Sequence, residues 1–84
     1  MARLEVKSIP SGRNGISTMM ITGFKNGELS ELKSMEHMES QEKLIEMLNS
    51  RNNGLGNAYA CGHGIYGLWF DNEAAYLNIG SSCD

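Results

Sequence analysis

The chain has 84 residues, about 9.2 kDa, room for one small domain over residues 1–84 and no second core. Its 40% hydrophobic and 20% charged content excludes both a disordered tail and a low-complexity protein. Ten acids against seven bases give −3, the wrong sign for a protein that holds phosphate backbones directly, so nucleic acid is not expected as a direct ligand.

Arg3 to Ser8 alternates, with Leu4, Val6 and Ser8 facing one way and Arg3, Glu5 and Lys7 the other, the period of a half-buried strand. The stretch Pro10-Ser11-Gly12-Arg13-Asn14-Gly15 has turn chemistry throughout. Ile16 to Phe24 is rich in Ile, Thr, Met and Phe and reads as a second strand. Asn26-Gly27 follows, the dipeptide that suits a type I′ hairpin, and predicts a third strand with Lys25 opposite Glu28, Phe24 opposite Leu29 and Ile21 opposite Leu32. Ser40 is a good N-cap, favoured over Ser34. A helix to about Arg51 then places Leu44, Ile45 and Leu48 inward and Glu39, Glu42, Lys43 and Glu46 outward. Strands return at Ala58 to His63, Ile65 to Phe70 and Glu73 to Ile79, the last two joined by Asp71-Asn72. That loop puts Tyr66, Leu68 and Phe70 on the core face with Ala75, Leu77 and Ile79, and leaves Trp69 and Tyr76 outside, Tyr76 across from Gly67. The expected fold is α+β, an antiparallel sheet of about five to six strands with one amphipathic helix on one face, in the order β-β-β-α-β-β-β.

No apolar run approaches the roughly 18 residues that span a bilayer, and residues 1–7 lack the apolar block of a signal peptide, so a cytoplasmic location is expected. Gly62-His63-Gly64-Ile65-Tyr66-Gly67 matches G-x-G-x-x-G by letter, but strand rather than helix follows it and no βαβ unit fits, which argues against a nucleotide site. Cys61 and His63, two apart on a strand, would share a face, which suits a thiol or metal pair. A free cysteine beside a surface histidine is the plainer account, and Cys61 with Cys83 could instead form a disulfide. No zinc spacing is present, His37 reads as solvated, and the chain is expected to be a non-enzyme without metal or cofactor.

Charge is uneven along the chain. Residues 1–27 carry four bases and one acid (+3), residues 28–46 six Glu and two Lys (−4), and residues 47–84 one base and three acids (−2). The acidic middle, with Glu31, Glu36, Glu39, Glu42 and Glu46, reads as a solvated face or an electrostatic docking surface. Trp69 and Tyr76 are the residue types that anchor protein interfaces, and are the candidate aromatic contacts.

The size, the acidity, the Asn26-Gly27 hairpin and the passage Met38-Glu39-Ser40-Gln41-Glu42-Lys43-Leu44-Ile45 entering one helix after strands resemble small phage-encoded anti-CRISPR inhibitors. The resemblance covers the strand and helix order and no specific motif. It implies stoichiometric binding that blocks a basic, nucleic-acid-handling bacterial complex in the host cytoplasm. Two other classes stand beside it: a self-associating or antitoxin-like module using an edge strand such as Arg3 to Ile9, with a homodimer as its product, and a small thiol- or metal-dependent protein using Cys61 and His63.

Overall fold

A computed structural model describes residues 3–10, 15–51, 55–60 and 64–80. In chain order the elements are β1 (Glu5–Ile9), β2 (Ile16–Thr22), α1 (Glu28–Ser34), α2 (His37–Ser50), α3 (Leu55–Ala60), β3 (Ile65–Asp71) and β4 (Ala74–Gly80). The α+β class and the antiparallel sheet stand as expected. The sheet has four strands rather than five to six, and three helices among the described residues replace the expected one.

The strand order is β1-β2-β4-β3, each neighbouring pair antiparallel. Strands β2 and β3 therefore run parallel with β4 inserted between them, and the helical segment carries the chain from one to the other. Alternation works as the sequence predicts: Val6, Ile21, Ala75 and Phe70 form one row across the core face, and Met19, Leu77 and Leu68 continue the next. Against this face pack Leu32 of α1, Leu44, Met47 and Leu48 of α2 and Leu55 of α3, with Ile21 of β2 and Leu4, just before β1, fully buried. A fully buried Leu is worth roughly 1.5–3 kcal/mol over an exposed one, so this cluster is the main source of stability.

The expected third strand is helix α1. Gly27 sits at φ 88°, the left-handed conformation that Gly tolerates, but it caps a helix instead of closing a hairpin. Glu31 N–H donates to Gly27 O at 3.0 Å, the first helical bond. Leu29 and Leu32 are three apart, a helical spacing that puts both toward the core, and Glu, Leu, Ser and Lys are not strand formers. Glu28 forms no ion pair across a turn with Lys25. Its Oε1 accepts the Lys25 backbone N–H at 2.6 Å, and its Oε2 accepts from Arg51 Nη2 at 2.5 Å, tying the start of α1 to the end of α2.

Helix α2 begins at His37, not at Ser40 or Ser34. Ser40 is buried, and its hydroxyl donates to Leu32 O at 2.6 Å, satisfying a carbonyl in the last turn of α1. The side chain that read as a cap is a cross-link between helices. The expected strand at Ala58 to His63 is contradicted at its start, where residues 58–60 belong to α3. Leu55 and Gly56 at the head of α3 are buried, Leu55 within the core. The two-residue loop of the second hairpin is Asn72-Glu73, one position later than expected, so Trp69 and not Gly67 lies opposite Tyr76. The register shifts between Ile65 and Gly67. Ile65 consequently takes the core-side position opposite Ile79, while Tyr66, expected in the core, is 68% exposed.

Candidate interaction surfaces

Helix α2 buries Ser40, Leu44, Met47 and Leu48 and exposes Glu39, Glu42 and Glu46. At about 100° per residue the three glutamates fall within roughly 60° of one another, on the side away from the buried four. Glu36 caps the helix and is also exposed, continuing the acidic surface around its start. Glu31 lies on α1, where its carboxylate is paired with Lys43. Among the described residues the other ion pair is Glu28 with Arg51, so Glu36, Glu39, Glu42 and Glu46 have no cation of their own in an ion pair. Glu39 to Glu46 spans seven residues, about 10 Å of helix, which places a negative charge every ~5 Å. One strand of DNA carries a charge every ~3.4 Å, so the stripe has about two-thirds of that linear density.

The Glu28 and Arg51 pair is structural. Burial alone would raise the Glu28 pKa, but the hydrogen bond from the Arg51 guanidinium, the Lys25 N–H and the positive charge of both residues outweigh it and hold the carboxyl below its ordinary value.

The second candidate surface is the sheet face that the described helices leave uncovered. Strand alternation puts Ile9, Thr18, Asn78 and Gly67 in one row on this face, and Lys7, Met20, Tyr76 and Trp69 in the next. Thr18 Oγ1 donates to Asn78 Oδ1 at 2.7 Å, fixing the first row. In the second, the Trp69 and Tyr76 rings stack with centroids 5.5 Å apart and planes within 9°, and Trp69 remains 41% exposed. Tyr66 joins this face: the position a Cβ on Gly80 would occupy lies 2.8 Å from its ring. The bulge thus exchanges an expected core aromatic for a surface one.

The two surfaces are on opposite sides of the sheet. Glu36, Glu39, Glu42 and Glu46 look outward from the helical layer, and Trp69 and Tyr76 look outward from the bare sheet, so a flat partner touches one or the other. Sequence periodicity identified both sets; it carried no information on which side of the sheet the helix lies. It also missed Met20 and Lys7 as neighbours of the aromatic pair, because β2 joins β4 across 60 residues of chain.

A cleft of about 520 Å³ lies between the β2 to α1 connection and the β3 to β4 turn, lined among others by Phe24, Lys25, Leu29, Lys33 and Glu73. Lys33 Nζ donates to Asn72 O at 3.3 Å across it. Cys61, His63 and Cys83 lie outside the described residues, and His37 is exposed as expected. No described helix is long and apolar enough to cross a membrane. The chain matches no protein-family model, no curated protein and no solved structure.

Proposed function

We propose that the chain is a small non-enzymatic, protein-binding inhibitor that uses the acidic face of α2 to occupy a basic, nucleic-acid-handling surface of a bacterial complex. Of the features that suggested phage-encoded anti-CRISPR inhibitors, size and acidity remain, while the Asn26-Gly27 hairpin and the expected strand and helix order do not. The observation that carries this reading is the row Glu39, Glu42 and Glu46 with Glu36 beside it, all exposed and none in an ion pair among the described residues. Lys43, the one base among them on the helix, is occupied by Glu31. A rigid helix presenting carboxylates at this density offers a basic channel an electrostatic substitute for part of a phosphate backbone. Association is then accelerated by steering and weakened by salt. Facing solvent, these charges carry no desolvation cost in the free protein, and their mutual repulsion, about 0.2–0.5 kcal/mol per i,i+4 pair, is relieved when a basic partner binds.

The test is competition. Wild-type protein captures a nucleic-acid-binding complex from bacterial lysate at low salt, and the purified pair loses its DNA or RNA binding at one equivalent of the chain. The Glu39→Lys, Glu42→Lys, Glu46→Lys variant, folded by circular dichroism, associates at least ten-fold more slowly. Equal association rates for the reversed variant would refute the acidic-face reading.

A further inference from the structure

We propose that Asn26 is a site of spontaneous deamidation, its carboxamide lost through a cyclic imide closed by the Gly27 nitrogen, an inference independent of the inhibitor reading. The chain has three Asn-Gly pairs, and Asn14 and Asn53, which open the first and third, lie outside the described residues. At the second, Asn26 and Gly27 are both exposed; the Asn26 side chain makes no hydrogen bond, and the Gly27 N–H has no acceptor, among the described residues. A Cβ built on Gly27 meets nothing within 4 Å, so the nitrogen is open to approach and carries no side chain to hinder it. Asn78 and Asn49 are held instead. Asn78 Oδ1 accepts from Thr18 Oγ1 at 2.7 Å and β-branched Ile79 follows it, while Asn49 precedes Ser50 inside α2, where the helical ladder engages the next N–H.

In the first step the Gly27 nitrogen attacks Asn26 Cγ and the Cγ–Nδ2 bond breaks, Nδ2 leaving as ammonia with the proton given up by the Gly27 amide. Water then opens the imide at either carbonyl. Opening at Cγ gives aspartate, and opening at the Asn26 main-chain carbonyl gives a β-aspartyl link through Cγ. Nothing is oxidised or reduced, and water is the sole co-reactant. Gly27 has φ 88° and ψ −19°, and Glu28 N–H donates to Lys25 O at 3.0 Å, so residues 25–28 form a type II turn with Asn26 first of its central pair. Such a turn sets the Asn26 ψ at about +120°, which holds the Gly27 nitrogen away from the side chain. Ring closure therefore waits for the turn to open. That opening breaks the Glu28 to Lys25 bond and the exposed bond from Lys25 N–H to Glu28 Oε1, and leaves the core untouched.

The two products act differently on α1. The aspartate form keeps the backbone and adds one acid to the cleft that Lys25 and Lys33 line, taking the net charge from −3 to −4. The β-aspartyl form makes the main chain one atom longer between Lys25 and Glu28, so the two bonds that close the turn, at 3.0 and 2.6 Å, are not both kept. Glu28 is also the partner of Arg51, and the lengthening loosens the junction of α1 and α2.

Peptide mapping of folded protein aged at neutral pH tests this directly. Trypsin cuts after Arg13, Lys25 and Arg51, so the three Asn-Gly pairs fall in three different peptides. Against an unaged digest, the peptide of residues 26–33 is expected to gain about one mass unit, OH in place of NH2, and to resolve into aspartyl and β-aspartyl forms. Conversion is slower than in a synthetic peptide of residues 25–34, whose turn is open. Asn26→Gln, at an exposed position, abolishes the change in that peptide, and Gly27→Ala slows it by about an order of magnitude by crowding the attacking nitrogen. The isolated β-aspartyl form melts about 4–8 °C below the parent, the shift expected for about one lost hydrogen bond. The proposal is overturned if residues 26–33 stay unchanged while the synthetic peptide converts, or if folded Gly27→Ala converts as fast as wild type. Aspartate without any β-aspartyl product, the mark of direct hydrolysis, would also overturn it, as would a β-aspartyl form that melts with the parent.

Discussion

Replacing Glu28 with Gln removes one negative charge from the junction of α1 and α2 while keeping the shape of the side chain. In the wild type Arg51 Nη2 donates to Glu28 Oε2 at 2.5 Å, and the side chains are only 14% and 20% exposed. Arg51 Nη1 is buried without a hydrogen-bond partner, so the guanidinium depends on Glu28 for its compensation. A charge-assisted hydrogen bond contributes about 1.5–3 kcal/mol, and breaking a fully buried ion pair costs about 3–5 kcal/mol. Partial exposure of both partners favours the lower figure, about 2 kcal/mol. A domain of this length has about 4–13 kcal/mol in total and loses about 4–8 °C of Tm per kcal/mol. Urea unfolding at pH 7, followed by circular dichroism, measures the loss.

The pH dependence supplies an independent check. Since the folded state holds the Glu28 carboxyl below its ordinary value, the unfolded chain binds that proton first as pH falls. Its contribution is complete above the unfolded pKa, near 4.3, and is lost as pH drops through the lower folded value. The gap between wild type and Glu28→Gln should therefore narrow below about pH 4. A variant within about 0.3 kcal/mol of wild type at pH 7, or a gap that widens on acidification, would refute the assignment of Glu28 as the counter-ion of Arg51, since a lost charge-assisted bond costs more than that.

Leu44→Ala, at a position with no exposed surface between α2 and the sheet, should cost about 2–5 kcal/mol and lower the thermal midpoint by 10 °C or more, read by calorimetry. Gly23→Ala should be destabilised by at least about 1 kcal/mol in urea unfolding, because φ is 87° there and the new Cβ would run into the Arg3 carbonyl. Gly27→Ala has the same positive φ but open space around the added methyl, so it should lose less than Gly23→Ala in the same assay.

The strands were legible where alternation was strict. β1 follows from its alternation, β2 from its β-branched and apolar content, and the β3 to β4 hairpin from alternation about a turn that lies one residue later than expected; the outward placement of Trp69 and Tyr76 follows from the same alternation. The helical middle was misread at the points where a residue serves two structures. Asn-Gly turns a hairpin, but a left-handed Gly also starts a helix, and only the three-residue spacing of Leu29 and Leu32 separated the cases. Ser40 has the chemistry of a cap and is used as a tertiary donor to Leu32 O. Tyr66 obeyed alternation on paper and is re-aimed by a bulge, a one-residue event that leaves no periodic trace. Of the candidate surfaces, the residues of each could be named from sequence. Their separation onto opposite sides rests on contacts between elements up to 64 positions apart, which periodicity does not encode.

The insertion of β4 between β2 and β3 has a kinetic meaning. Its seven residues hold Ala75 and Leu77 at zero exposure and supply hydrogen bonds to both neighbours, so the sheet has no continuous centre without them. Synthesis runs from the N-terminus, so β1, β2 and the three described helices are all made before residues 74–80 exist. They can form only a hairpin and a set of helices with their apolar sides unmet, the β2 strand exposing an edge for the time it takes to translate some fifty further residues at roughly 5–20 per second. The sheet can therefore be completed only late, when its most buried strand arrives, and truncation before Ala74 removes the keystone of the sheet instead of trimming its border.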